Sequence, residues 1–313
     1  MNTNLMKTTN QLAYQWPALL MVVGFLAGCG SMPVPKGLSS QPEAIALLEQ
    51  AQQAHGKAAF AAVKDISVSY IGTWFTAITK IQPEITDVAF RQTSEERMLM
   101  ADGLIAQIHS GPSGQKMVVE DSKNPASGAL SVGNSAQYNG KLSIWYNQVP
   151  HTGAAQMAAS HIVLHAYQLF LYPAFYVQRA SLLELAGSDV INGRPCDKLL
   201  AVLHPGIGNS PEDRVQLCID RQDKRVRSTW LTLEGSEPSK GAVVSVVYDK
   251  FVEVGGVVWP AHFYETVVRP LAGLPAHDFS LSGIDVNRGL TRADFADGKF
   301  LGKAAEPAAA LAQ

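Results

Sequence analysis

The sequence has no surplus of positive charge: 25 Lys and Arg stand against 27 Asp and Glu in 313 residues. Without a basic face, nucleic acid is excluded as a partner. Cysteine is scarce. Three residues are too few for a disulfide-built scaffold or a Cys-rich zinc fold. Charged residues make up only 17% against 47% hydrophobic, which excludes a mainly disordered chain. Catalytic signatures are missing too. There is no GxSxG elbow, and HPGIG at 204–208 lacks the Lys and Ser of a phosphate loop. The sequence therefore reads as a non-enzyme with no cofactor. No apolar run reaches the ~20 residues of a membrane-spanning helix. The longest, ALLMVVGFLA, occupies 18–27.

That run leads into Leu26-Ala27-Gly28-Cys29, with Lys7 the one charged side chain before it. The pattern resembles the lipobox of bacterial lipoproteins: Leu, two small residues, then the Cys whose thiol takes the lipid. The resemblance implies that 1–28 is a signal peptide and that Cys29 carries the acyl chains, palmitate among them. It further implies a partner, the membrane, reached through that lipid anchor. Gly30 in place of Asp implies the outer membrane, with the body facing the periplasm. Residues 29–42, rich in Gly, Ser and Pro, read as a flexible tether with a reach of up to ~40 Å. Residues 303–313, Ala-rich with one Pro, read as a disordered tail.

Between them, 43–302 reads as a single domain. Pro42, Glu43 and Gly56 delimit a helix from Pro42 to about His55. Beyond Lys64, segments rich in Val, Ile, Thr, Tyr and Trp alternate with turn residues, which predicts strands near 66–77, 86–99, 103–109, 115–121 and 142–147. A helical insert is expected from about 153 to 186. Further strands are expected near 188–192, 196–204, 214–220, 224–233, 242–253, 257–268 and 277–285. Connections this short demand antiparallel pairing. The fold class is thus mainly antiparallel β with a helical insert (α+β).

From Val190 the chain reads VINGRPCDKLLAV, then LCIDRQDKRVRSTWLTLEG, then VVYDKFVEVGGVVWPAHFYE. Strand, Asp-turn-Arg, long strand, Gly-Gly turn and Trp-Pro strand resemble the LolA/LolB-like lipoprotein-carrier fold. Ala54-His55-Gly56 fits the same group. The resemblance spans about 43–290. It implies a curved sheet, an incomplete barrel, with helices over an apolar concave face, and a lipid or lipoprotein as cargo. The apolar segment LFLYPAFYV at 169–177 is interrupted by Pro173, which cannot sit inside an undisturbed helix. Such a segment suits a lid or a plug. A groove between sheet and insert is expected to draw its lining from Trp74, Phe90, Phe170, Phe175, Trp230 and Phe263. Two alternatives stand beside it: a structural or complex-assembly lipoprotein with a self-filled core, and a metal-dependent hydrolase.

His161 and His165 lie four apart and share a helix face with Gln168. No Glu adjoins the first His, so the metalloprotease pattern is absent, and the stripe reads as the polar side of an amphipathic helix with no metal. A metal would need a third ligand from elsewhere. Glu95-Glu96 and Glu212-Asp213, each beside an Arg, read as solvated charge at strand ends. Cys196 and Cys218 fall, by the period of two, on the face opposite the cleaner apolar set. Pairing Leu199 with Val215 would set them directly opposite each other, as a disulfide or as two buried free thiols.

Overall fold

A computed structural model describes residues 31–123 and 141–298. The signal peptide, Cys29 and the 303–313 tail lie outside the described residues. Helix α1 (Pro42–Ala54) precedes a short α2 (Lys57–Ala61) and strand β1 (Asp65–Trp74). Helices α3 (Thr76–Ile81) and α4 (Pro83–Thr86) follow. Then come β2 (Thr93–Leu99), β3 (Leu104–Gly111), β4 (Gly114–Asp121), β5 (Lys141–Tyr146) and β6 (Val149–His151). Helices α5 (Ala154–Leu171) and α6 (Pro173–Tyr176) come next. The chain then runs through β7 (Leu182–Ile191), β8 (Arg194–Leu203), β9 (Asp213–Asp220), β10 (Val226–Leu233), β11 (Ala242–Val254), β12 (Val257–Arg269) and β13 (Leu274–Val286).

The thirteen strands among the described residues form one antiparallel sheet, in the order β6-β5-β4-β3-β2-β1-β13-β12-β11-β10-β9-β8-β7. It is curved and unclosed, as expected of an incomplete barrel. Every neighbouring pair is also consecutive in the chain, apart from β1 and β13. Two meanders therefore spread from a central pair, and the edges are β6 and β7. The segment between those edges is α5–α6, so it is not an insert. It is the crossover that joins the two ends of the sheet, and it must traverse the concave face. It also ends earlier than the sequence suggested, because Leu182–Ile191 is strand. The expected strand at 86–99 starts instead at Thr93, since α3 and α4 occupy 76–86.

Gly56 shows why α1 stops where it does. Its φ is +86°, and a Cβ there would collide with the Gly256 carbonyl. The core is continuous from α1 through α5–α6 to Ile66 and Val68 of β1, Leu217 of β9, Val246 of β11 and Phe263 of β12. His55, fully buried, holds α1 to the sheet. Its Nδ1 lies 2.7 Å from the Val258 carbonyl, and its Nε2 accepts the Val226 amide at 3.1 Å. Burial lowers its pKa to about 4, so it works neutral.

The segment read as a free tether is, from residue 31, bound to the sheet. Met32 is buried against Leu200, Val243, Trp230 and Val268 on the outer face. Arg214 donates to the carbonyls of Met32 and Pro33 at 3.3 and 2.8 Å. The Lys36 and Gly37 amides donate to the Glu184 carboxylate. Ser40 and Gln41 then accept from the free edge of β7, at the Leu183 and Leu185 amides. Composition suggested slack here. The backbone is held because an exposed sheet edge and a buried carboxylate both need partners.

Cys196 and Cys218 form a disulfide with Cα atoms 5.5 Å apart, but not as directly opposed residues. Leu199 pairs with Leu217, so Cys218 faces Lys198 and Cys196 faces Asp220. The register differs by two from the one expected, which keeps every side chain on its face and makes the bridge diagonal. The bond closes a sequence separation of 22. The Cys196→Ser/Cys218→Ser double variant is expected to lose about 3 kcal/mol of stability, read from urea unfolding under non-reducing conditions. An unchanged unfolding midpoint would count against the bridge.

Candidate functional site

The helix-covered face has two unlike halves. On β8 to β12 it is apolar. On β2 to β4 it carries Ser94, Glu96, His109, Gln107, Lys116 and Glu120, all buried. The crossover helix must match both. Its polar stripe, His161, His165 and Gln168, is accordingly not on a solvated surface. His165 Nε2 lies 3.1 Å from Glu120 Oε2 on β4, and His161 Nε2 lies 3.3 Å from the same oxygen. The third converging group that the sequence did not nominate is thus Glu120, and the three ligand atoms fall within 4.8 Å of one another.

By residue type this trio could ligate a metal, but its hydrogen bonding argues for a different state. The Gly208 amide donates to His165 Nδ1 at 3.2 Å. That nitrogen is therefore the acceptor, and the neutral ring carries its proton on Nε2, facing Glu120. A metal at Nε2 would require the proton on Nδ1, against an N–H. As built, the trio is a clasp of α5 to β4. Burial pushes Glu120 up, but His165 and His161 outweigh it and hold the carboxyl well below the usual range, while burial lowers His165. The sign follows. Glu120, depressed, contributes stability above pH ~4.5 that fades in acid, and His165, also lowered, costs stability as pH falls below ~6.5. The urea midpoint of the wild type should therefore drop relative to that of His165→Gln between pH 7 and pH 4, a difference in which the raised carboxyls elsewhere cancel. Equal slopes would show that the clasp does not titrate.

Other carboxylates read as solvated are also buried. Glu96 accepts from Gln107 Nε2, and burial raises its pKa to about 8. Asp213, raised by burial to about 6, accepts the Ile207 amide at 2.8 Å and the Thr232 hydroxyl at 2.5 Å. Each ties a loop or strand to its neighbour.

The expected groove residues do not converge. Phe170, Phe175 and Phe263 share the main core and face other rings: Phe60 stacks on Phe175 at 3.9 Å, and Phe263 on Phe279 at 4.6 Å. Phe90 packs on Tyr146 at 4.8 Å, beyond the polar half. Trp230 lies on the outer face, beside Met32. Trp74 alone of the six lines an apolar cavity of about 70 Å³. This cavity lies under α3–α4 at one end of the sheet. Its walls include Ile78, Ile81 and Ile85 from the helices, and Leu233, Val244 and Val267 from the strands. The three isoleucines repeat at a helical spacing that Pro83 interrupts, which hid them from a reading in longer elements. Ile81 and Leu271, both about half exposed, stand at the rim.

Polar groups sit at the inner wall. Glu265 belongs to the lining, and burial raises its pKa to about 7 against the pull of Arg91. Arg91 lies 4.8 Å above the Trp74 ring and 4.8 Å from that of Tyr167, and donates to the Ile85 carbonyl at 2.7 Å. His277 stacks on the same indole, with ring centres 3.7 Å apart. Asp87, ending α4 at φ +41°, accepts from Lys116 and Tyr146 at 2.8 Å each, which pins the roof of the cavity to β4 and β5. A wider cleft of about 950 Å³ lies between the start of α5 and the 208–214 and 234–240 loops, and its lining is mixed in polarity.

No family model and no curated protein matches the chain. Solved structures with a similar course include a DUF1329 family protein from Desulfovibrio piger, 9% identical, TM-score 0.48, over 80% of this chain and 96% of that one. A LolA superfamily protein from Nitrosomonas europaea is 10% identical, TM-score 0.44, over 81% and 97%. A putative outer membrane lipoprotein-sorting protein domain from Vibrio parahaemolyticus is 11% identical, TM-score 0.37, over 80% and 95%. At such identities no residue role carries over from them.

Proposed function

We propose that this chain is an envelope lipoprotein, acylated at Cys29 and anchored in the outer membrane, that holds the end of an apolar chain in the cavity under α3–α4. The observation that carries the reading is the cavity itself. Aliphatic side chains from two helices and four strands surround it, and its rim continues outward in exposed Ile81 and Leu271. Apolar surface left open at a rim is costly unless something covers it. About 70 Å³ admits a chain tip rather than a whole lipid. That suits a cargo whose remainder stays outside, as an acyl group on a lipid or lipoprotein would. Glu265, its carboxyl raised by burial to about 7, is half protonated at pH 7 and can donate as well as accept.

The alternative of a self-filled structural lipoprotein draws on the ring-to-ring packing of Phe60 on Phe175 of the crossover and of Phe263 on Phe279 in the sheet. That packing occupies the middle of the concave face. The cavity lies beyond it, so the two features coexist, and the binding reading accounts for both.

Two measurements test this. A radioactive fatty acid should label the wild type in cells and leave Cys29→Ser unlabelled; label in the variant would remove the anchor. For the cavity, a fluorescent fatty acid should bind protein carrying Cys29→Ser with micromolar affinity. Ile81→Asp and Leu271→Asp, each at an exposed rim position, should weaken it about tenfold. Binding unchanged in both variants would mean that the ligand goes elsewhere.

A further inference from the structure

The bound N-terminal segment and the cavity lie on opposite faces of the same strand ends. Val244 of β11 and Val267 of β12 line the cavity. Their neighbours Val243 and Val268 point to the outer face and pack on Met32. In a strand, successive side chains alternate between faces, so Met32 sits one sheet thickness behind the cavity wall. The pairings Leu203 with Asp213, Leu233 with Ala242 and Val267 with Leu274 put three hairpin turns at this same end. Trp74, opposite His277, brings β1 and α3 there as well.

We infer that this end of the sheet, with the cavity mouth, rests on the lipid surface. Val34 and Leu38 of the bound segment and Ile81 and Leu271 of the rim would be its apolar contacts. The inference rests on the anchor and cavity reading and adds an orientation to it. Cys29 precedes Met32 by three residues, and consecutive Cα atoms are 3.8 Å apart, so a lipid on Cys29 would have at most about 11 Å of chain between it and the bound Met32. A free tether would have let the body hover and turn. A segment fixed by Met32, by the Arg214 bonds to two carbonyls and by Glu184 does not.

The side chains facing outward fit that placement. Val34 is 71% exposed, and Leu38 is fully exposed. Both lie between the anchor residue and α1, on a segment whose backbone is held to the sheet at Met32, Pro33, Lys36, Gly37 and Gln41. Ile81 and Leu271 are each about half exposed at the mouth. Apolar residues on a surface within reach of an acylated residue enter the interface and add to the hold of the lipid chains. A chain tip leaving the bilayer would then meet the cavity without crossing water.

Nitroxide labels on the full-length lipidated protein in phospholipid vesicles test the orientation. Labels at Val34→Cys and Leu271→Cys should lose access to a water-soluble nickel chelate and gain access to oxygen. A label at Val190→Cys, exposed beside the β7–β8 turn at the far end, should stay open to nickel. Met32→Glu, which frees the segment, should return the Leu271 label to water while the protein still pellets with the vesicles. Equal nickel access at all three sites overturns the inference, as does spin–spin broadening at Val34 or Leu271, which would put a second copy on this end. Protein that fails to pellet overturns the anchor and the orientation together. Fatty acid binding in solution is a separate readout: if it holds while Leu271 stays in water, the orientation alone fails. If it is absent while Leu271 is immersed, the cavity reading alone fails.

Discussion

One chain segment has to connect the two edges of an unclosed sheet, and most of the architecture follows from that. Because β1 pairs with β13, the termini of the strand run meet in the middle, and the open edges β6 and β7 are left to be joined by what lies between them. That segment has only one short path, across the concave face. A helix is the economical way to take it, since it satisfies its own backbone bonds while crossing a surface that offers none. The helix is then enclosed between the sheet it crosses, the turn at 207–209 and α4, which explains why thirteen of its residues are buried.

Burial on all sides forces the polar stripe of α5 to find partners in the sheet. Two imidazoles cannot be left unpaired in such a place. Glu120 supplies the charge they need, and the Gly208 amide settles which ring nitrogen of His165 holds the proton. The same demand runs along the polar half of the sheet, where Ser94 meets His109 at 2.7 Å and Lys116 meets Asp87. The polar residues of β2 to β4 are thus a structural answer to the crossover as much as a chemical resource.

How far the sequence disclosed this can be judged from particular residues. The antiparallel strands were legible wherever alternation was clean, as on Val215, Leu217 and Ile219. Faces were legible but register was not, because a slip of two preserves every face, and the loop at 204–212 does not state its own length of pairing. In β2 the alternation fails at Ser94-Glu95-Glu96-Arg97, where buried positions are polar, so the strand start was misplaced. Helices of six and four residues have too few turns to display a period, so α3 and α4 stayed hidden. The binding of residues 31–41 to the sheet left no sequence mark either, since its bonds run largely through backbone groups. Of the candidate site, Trp74 was legible as an aromatic residue. Its company was not.

The cavity is best understood from the shortness of its roof. At this end of the sheet, β10 to β13 present an apolar surface that α5 does not reach, and the cover falls to α3 and α4. Pro83 ends one helix and begins the next, with Gln82 between them at φ −131° and ψ 60°. A continuous helix over 76–86 would lay one straight stripe of side chains on the strands and close the gap. The break divides the isoleucines between two short helices, and Ile78, Ile81 and Ile85 all line the space. Pinning of Asp87 by Lys116 and Tyr146 then keeps the roof from sinking into it. An opening held apart by a proline and two polar contacts is maintained at a cost in packing. No glycine stands between Thr76 and Thr86 to loosen this roof, so the break at Gln82-Pro83 and the hold on Asp87 act on a stiff backbone.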